Sequence, residues 1–177
     1  MEYVGEHLWP GIIGRLSVSL SFTAALIAVI AYILYIRKND QAYKKLARGA
    51  FITHLIAVLS IVASLFYITL NHYFEYDYVW KHSSTQLELR YIFSAFWEGQ
   101  EGSFLLWLFW HAILGVILMF SSKDWEAWTM TILASVQAFL ASMILGVFPL
   151  GLRIGSSPFV LMRETADNIG LPWTQVA

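Results

Sequence analysis

The sequence contains no cysteine. That excludes disulfides, thiolate metal sites, Cys-x-x-Cys redox chemistry and thioether attachment of a prosthetic group to this chain. Charge is almost as scarce. Acidic and basic residues make up 13% of the chain, against about 25% in an ordinary soluble domain. A water-facing surface cannot be covered with so few ionic groups, whereas a lipid-facing one needs none. The net charge of −1 leaves no basic field to attract nucleic acid. The first residues lack the basic region of a secretory signal: Glu2 and Glu6 stand there. No small-x-small cleavage site follows, so the first apolar run is expected to be kept as a span. There is no internal repeat, low-complexity tract, flexible linker or appended soluble domain.

Apolar residues account for 58% of the chain, and mean hydropathy is +0.61. Crossing about 30 Å of hydrocarbon takes roughly 20 helical residues. Four stretches meet or approach that length: 16–36, 51–70, 104–120 and 128–150, the last closing near Pro149. The expected fold is all-α, a polytopic transmembrane bundle of about four spans forming one membrane domain over 1–177. Arg37, Lys38, Lys44, Lys45 and Arg48 crowd the first connection, which the positive-inside rule assigns to the cytoplasm. The N-terminus, the 71–103 segment and the tail then fall outside, with the 121–127 connection inside. Rings at the span ends, such as Trp9, Tyr73, Trp80 and Trp128, fit an interfacial aromatic belt.

The outer segment has structure of its own. Leu89, Ile92, Phe93, Phe96 and Trp97 recur at i, i+3, i+4, i+7 and i+8, the spacing of an amphipathic interfacial helix. The turn His82-Ser83-Ser84-Thr85 precedes it and supplies capping hydroxyls. The helix is expected to break between Gly99 and Gly102, with Ser103 capping the next span. From the residues alone, two glycines bracketing Gln100 and Glu101 beside tryptophans make a tight polar-tipped turn or a place of close backbone approach.

The order Tyr78-Val79, His82-Ser83, Leu87, Tyr91, Ser94-Ala95-Phe96-Trp97, Glu101-Gly102-Ser103, Leu105-Leu106-Trp107 resembles the CcmF/NrfE group. These are haem-lyase subunits of cytochrome c maturation, within a wider CcmF/CcsA haem-handling family. Glu98 stands where that pattern has glycine, and Gln100 where histidine is common. The group's tryptophan-rich haem loop and its His-Pro-Pro motif are missing, so at most part of a haem lyase is present. The resemblance is to the N-terminal part only, and a fragment, a split-gene half or a shortened reading frame are all compatible with it.

The resemblance implies a multi-pass protein of a bacterial inner membrane that delivers or attaches haem to apocytochrome c at the outer face. Its partners would be membrane lipid, other cytochrome c maturation subunits and apocytochrome c, without nucleic acid. Haem is the implied cofactor, and no ligand or catalytic residue carries over. The candidates are His82, Trp97, Glu101, Gly102 and Ser103 from the motif, and His111 as an ionisable residue inside a span. His82 could instead be a solvated loop histidine, and His111 a neutral imidazole bonded to a neighbouring helix. His54 is expected at headgroup depth, with His7 and His72 at the outer rim. Arg15, Arg90 and Arg153 could meet haem propionates or simply snorkel to the headgroups. No histidine or carboxylate pair has metal-ligand spacing. A small transporter subunit and a structural membrane scaffold are the alternative functions.

Overall fold

A computed structural model of the chain describes residues 5–86, 88–146 and 155–165. Leu87, Pro149, Leu150, Arg153 and the terminal stretch from Trp173 lie outside the described residues. Among the described residues six α-helices occur in the order α1 (Leu8–Lys38), α2 (Gln41–Leu70), α3 (Asp77–His82), α4 (Leu89–Ala95), α5 (Gln100–Ser121) and α6 (Glu126–Leu145). Single 3-10 turns cover Lys123–Trp125 and Met162–Glu164. Among the described residues four helices are long and apolar enough to cross a membrane: α1, α2, α5, and α6 with its preceding turn.

The bundle follows from buried residues at a helical repeat, small on α1 and mostly larger on α2. On α1, Gly11, Gly14, Val18, Ser21, Ala25, Ala28 and Tyr32 are buried at alternating steps of three and four. On α2 the same steps bury Ala47, Phe51, His54, Val58, Ile61, Leu65 and Ile68. A 3.5-residue seam selects the shallow left-handed crossing of coiled-coil-like bundles, and small side chains let the backbones approach. The four spans form a ring: α1 packs on α2 and α6, and α5 packs on the same two.

Both ends differ in detail from the sequence expectation. The basic connection is not a loop. α1 and α2 are separated only by Asn39, in the left-handed region at φ 52°, and Asp40, whose Oδ1 accepts from the Ala42 amide at 2.8 Å. The arginines and lysines therefore sit on helix ends. At the opposite end the 71–103 segment contains α3 as well as α4. α4 buries Ile92, Ala95 and Phe96, while Phe93 and Trp97 of the expected apolar face stay exposed. Its N-cap is Glu88, with no side-chain cap bond. Ser103 does not cap α5. Gly99 does, and Ser103 lies one turn inside, donating to the Trp97 carbonyl at 3.0 Å.

Residues 155–165 lie back over the start of α1 as a strap. The Asp77 amide donates to the Val160 carbonyl at 3.0 Å and the Met162 amide to the Glu75 carbonyl at 2.9 Å. Phe159 is fully buried; its ring occupies the space a side chain on Gly14 would need. Arg15 donates to the Phe159 carbonyl at 3.0 and 2.7 Å and pairs with Glu164. It is thus committed to the strap rather than snorkelling. Tyr76 hydroxyl donates to the His7 carbonyl at 2.6 Å and accepts from the Gly11 amide at 3.0 Å. It bridges the pair that closes the first turn of α1, and burial pushes its pKa up to about 12.

Glu6 pairs with Arg163 at 3.2 Å beneath the strap. Burial raises the Glu6 pKa above its ordinary 4.5, against the lowering pull of Arg163 and with a smaller push from Glu75 and Glu164. A raised carboxyl favours the folded state when protonated. Its contribution is full below about 4.5 and is lost as pH rises through the folded value. Wild type should therefore lose some stability over that rise, and Glu6→Gln should flatten the slope. Thermal unfolding in detergent between about pH 4 and pH 8 checks this; an unchanged slope in the variant contradicts it.

Candidate functional site

The motif residues fold into one compact knot at the end of the bundle that carries the long connections. Tyr78 is its centre. Its hydroxyl donates to the Phe96 carbonyl at 2.6 Å and lies 3.1 Å from the Ala95 carbonyl, satisfying acceptors that the end of α4 leaves open. Burial pushes the Tyr78 pKa well above the ordinary tyrosine value, and Glu101 adds to the shift. A side chain on Gly102 would sit 1.9 Å from the Phe96 carbonyl and 2.5 Å from the Tyr78 hydroxyl. Glycine is required there because backbone from α4 and α5 touch. Phe96 then stacks flat on Phe66 of α2, with centroids 4.3 Å apart.

His82 is fixed by the same tyrosine. Its ring packs on Tyr78 at 4.5 Å, and its Nδ1 donates to the Tyr78 carbonyl at 2.9 Å. A bond that fixes the proton on Nδ1 leaves a lone pair at Nε2 in the neutral imidazole. Nε2 has no partner among the described residues. It passes along Gly99, where a Cβ would approach within 3.0 Å. His82 lines a cavity of about 590 Å³ with Tyr91, Ser94, Trp97, Lys81 and Glu98 among its walls. Trp97 is 45% exposed and forms one side. Among the six sequence candidates, His82, Gly102, Trp97 and Ser103 are brought together here. Glu101 sits half-buried in the first turn of α5.

His111 is separate, more than two turns down α5. Its Nδ1 is buried and makes no hydrogen bond among the described residues, so the expected interhelical bond is not formed there. His54 faces α1 rather than the lipid headgroups at the bundle surface. It is fully buried between α1 and α2, with Nδ1 donating to the Ser21 carbonyl at 2.9 Å. His7 stacks on Tyr73 at 4.1 Å and bonds Glu75 at 3.0 Å. His72 lies 3.4 Å from the Ser83 hydroxyl. Arg90 pairs with Glu88 at 2.7 Å. Among the described residues no three His, Asp or Glu side chains could hold a metal ion.

Sequence reasoning assigned no role to Tyr78, Tyr91 or Ser94. The signal available was spacing: Tyr78 and His82 are one helical turn apart, which puts ring on ring.

These features define a polytopic helical membrane protein with an aromatic–histidine site at one end of the bundle. The chain is related to the N-terminal part of CcmF-type cytochrome c maturation proteins. No family model matches it. It is 26% identical over 147 residues to the cytochrome c-type biogenesis protein CycK of Bradyrhizobium diazoefficiens, covering 83% of this chain and 22% of that protein. It is 33% identical over 113 residues to CcmF of Haemophilus influenzae, covering 63% and 17%. It is 29% identical over 150 residues to CcmF of Pseudomonas fluorescens, covering 85% and 22%. A solved structure titled cytochrome c haem lyase CcmF superposes with a TM-score of 0.76 at 24% identity, over 85% of this chain and 24% of that one. The chain thus spans about a fifth of the length of the curated relatives it matches.

Proposed function

We propose that this chain works in cytochrome c biogenesis as part of a haem-lyase-like membrane assembly, presenting haem or apocytochrome c at the end that carries the 71–103 segment. The observation that carries this reading is the knot itself. The residues that carry the family likeness fold around His82, an imidazole that lines a cavity walled by Trp97 and Tyr91. Imidazole nitrogen suits haem iron, and aromatic rings suit the faces of a planar macrocycle. Haem enters here as the substrate passed to apocytochrome c. His82 would contact it, Trp97 would flank it, and Gly102, Ser103 and Glu101 would shape the turn behind. His111, in the span below, would face an inner partner of the assembly. Other maturation subunits and membrane lipid complete the set of partners.

The same reading places this end outside a bacterial inner membrane, with the arginine and lysine end in the cytoplasm. The absence of native cysteine makes a direct test available. Single-cysteine variants Ser84→Cys and Lys45→Cys, both at exposed positions, are treated with a membrane-impermeant maleimide in intact spheroplasts. Labelling of the first and protection of the second is expected. The reverse pattern overturns the orientation. Deleting the gene should also lower holocytochrome c, read by haem staining; unchanged staining counts against the biogenesis role.

A further inference from the structure

The strap at 155–165 follows α6 in sequence, yet it lands on the residues that begin α3. Its contacts there are consecutive. The Glu75 carbonyl accepts from the Met162 amide, Tyr76 forms an antiparallel bridge with Leu161, and the Asp77 amide donates to the Val160 carbonyl. The strap is in turn seated on α1. The buried Phe159 ring fills the notch at Gly14, and Arg15 holds the Phe159 carbonyl. Two ion pairs, Arg15 with Glu164 and Arg163 with Glu6, fasten its end.

α3 needs such a hold. It has six residues, and a helix shorter than about 12–15 residues is marginal without outside contacts. Its N-cap, Tyr76, makes no side-chain cap bond, because the Tyr76 hydroxyl is committed to the first turn of α1. The first amide of the helix would then lack an acceptor. The strap supplies one, the Val160 carbonyl. One residue beyond Asp77, Tyr78 latches to the end of α4. One turn further, His82 takes its orientation from the Tyr78 carbonyl and ring. A continuous run of contacts thus leads from Phe159 through residues 75–77 and Tyr78 to His82.

We infer that the strap is a working part of the His82 site, and that Phe159 is a positioning residue that acts on His82 through α3. The inference rests on the role proposed for His82, but its geometry is tested apart from that role. Spin labels at Lys81→Cys on α3 and Ser121→Cys at the far end of α5, both exposed, report the placement of α3 by pulsed electron double resonance on the whole chain in micelles. Gly14→Ala sets a methyl on the Cζ, Cε1 and Cε2 atoms of Phe159. Alanine favours the α1 helix but unseats the strap, so the distance distribution should broaden. Adding Phe159→Leu, which removes those three atoms, should narrow it again. Arg15→Met, at an exposed position, drops the bonds to the Phe159 carbonyl and should also broaden it. Holocytochrome c should fall about threefold to tenfold in Gly14→Ala, the worth of one hydrogen bond, and recover with Phe159→Leu. Mere loss of packing would not recover, because Phe159→Leu shrinks the core further. A distribution unchanged in Gly14→Ala and Arg15→Met, or one that Phe159→Leu fails to restore, overturns the inference. A distribution that broadens and is restored while holocytochrome c stays constant upholds the positioning and counts against the role of His82 instead.

Discussion

Replacing Gly102 by valine should destabilise the protein by about 3 kcal/mol or more and dismantle the knot around Tyr78. The added Cβ would lie 1.9 Å from the Phe96 carbonyl oxygen, which is backbone and cannot rotate away. Relief requires α4 to move off α5. That motion would break the Tyr78–Phe96 hydrogen bond and unstack Phe96 from Phe66. His82 would lose the bond and the ring that orient it. Tyr78→Phe separates the two effects. It leaves the packing but removes the donor to a buried carbonyl, at about 1–3 kcal/mol. Denaturant unfolding in micelles measures both. A Gly102→Val protein as stable as wild type would contradict the close approach of the two helices.

The second large effect belongs to the opposite end. Glu126 has a side chain 2% exposed, with Lys44 at 2.9 Å and Arg48 at 2.7 Å from its carboxylate. Tyr32 hydroxyl donates to it from 3.3 Å. One acidic residue thus joins α1, α2 and α6. Glu126→Ala leaves two cations facing a dry helix junction and should cost about 3 kcal/mol. That is the lower end of the range for breaking a buried pair, because Lys44 and Arg48 keep 21% and 36% of their surface in contact with solvent. Glu126→Gln keeps an acceptor for Tyr32 and Arg48 and should cost less. Thermal melting in detergent ranks the three proteins; equal melting of wild type and alanine variant would refute the junction.

Residue by residue, what could be seen from the chain itself depended on range. The spans are legible because each is set by its own run of apolar residues, and the E-G-S turn because its spacing is local. Glu126 was not legible. In sequence it sits in a short polar connection beside Lys123 and Asp124 and reads as a solvated acid; its partner Arg48 is 78 residues away. The strap was hidden for the same reason. Nothing local said that Tyr76 and Phe159 would fill the space beside Gly11 and Gly14. The partner of His54 was not legible either, because Ser21 lies on the facing helix, 33 residues away. Ser103 misled because a serine before an apolar run resembles a cap, yet the close contact at Gly102 starts the helix earlier, at Gln100.

The end of the bundle built on Tyr78, His82 and Gly102 is the part proposed to serve cytochrome c maturation. His82→Ala tests it most directly, because the imidazole is only half-buried and its loss leaves the Tyr78–Phe96 latch in place. The measurement is holocytochrome c per unit of membrane-inserted protein, by haem staining in a strain whose only copy carries the variant. A fall of about tenfold, equivalent to about 1.4 kcal/mol, is expected at unchanged protein level. Holocytochrome c at the wild-type level would contradict it and leave the chain a scaffold.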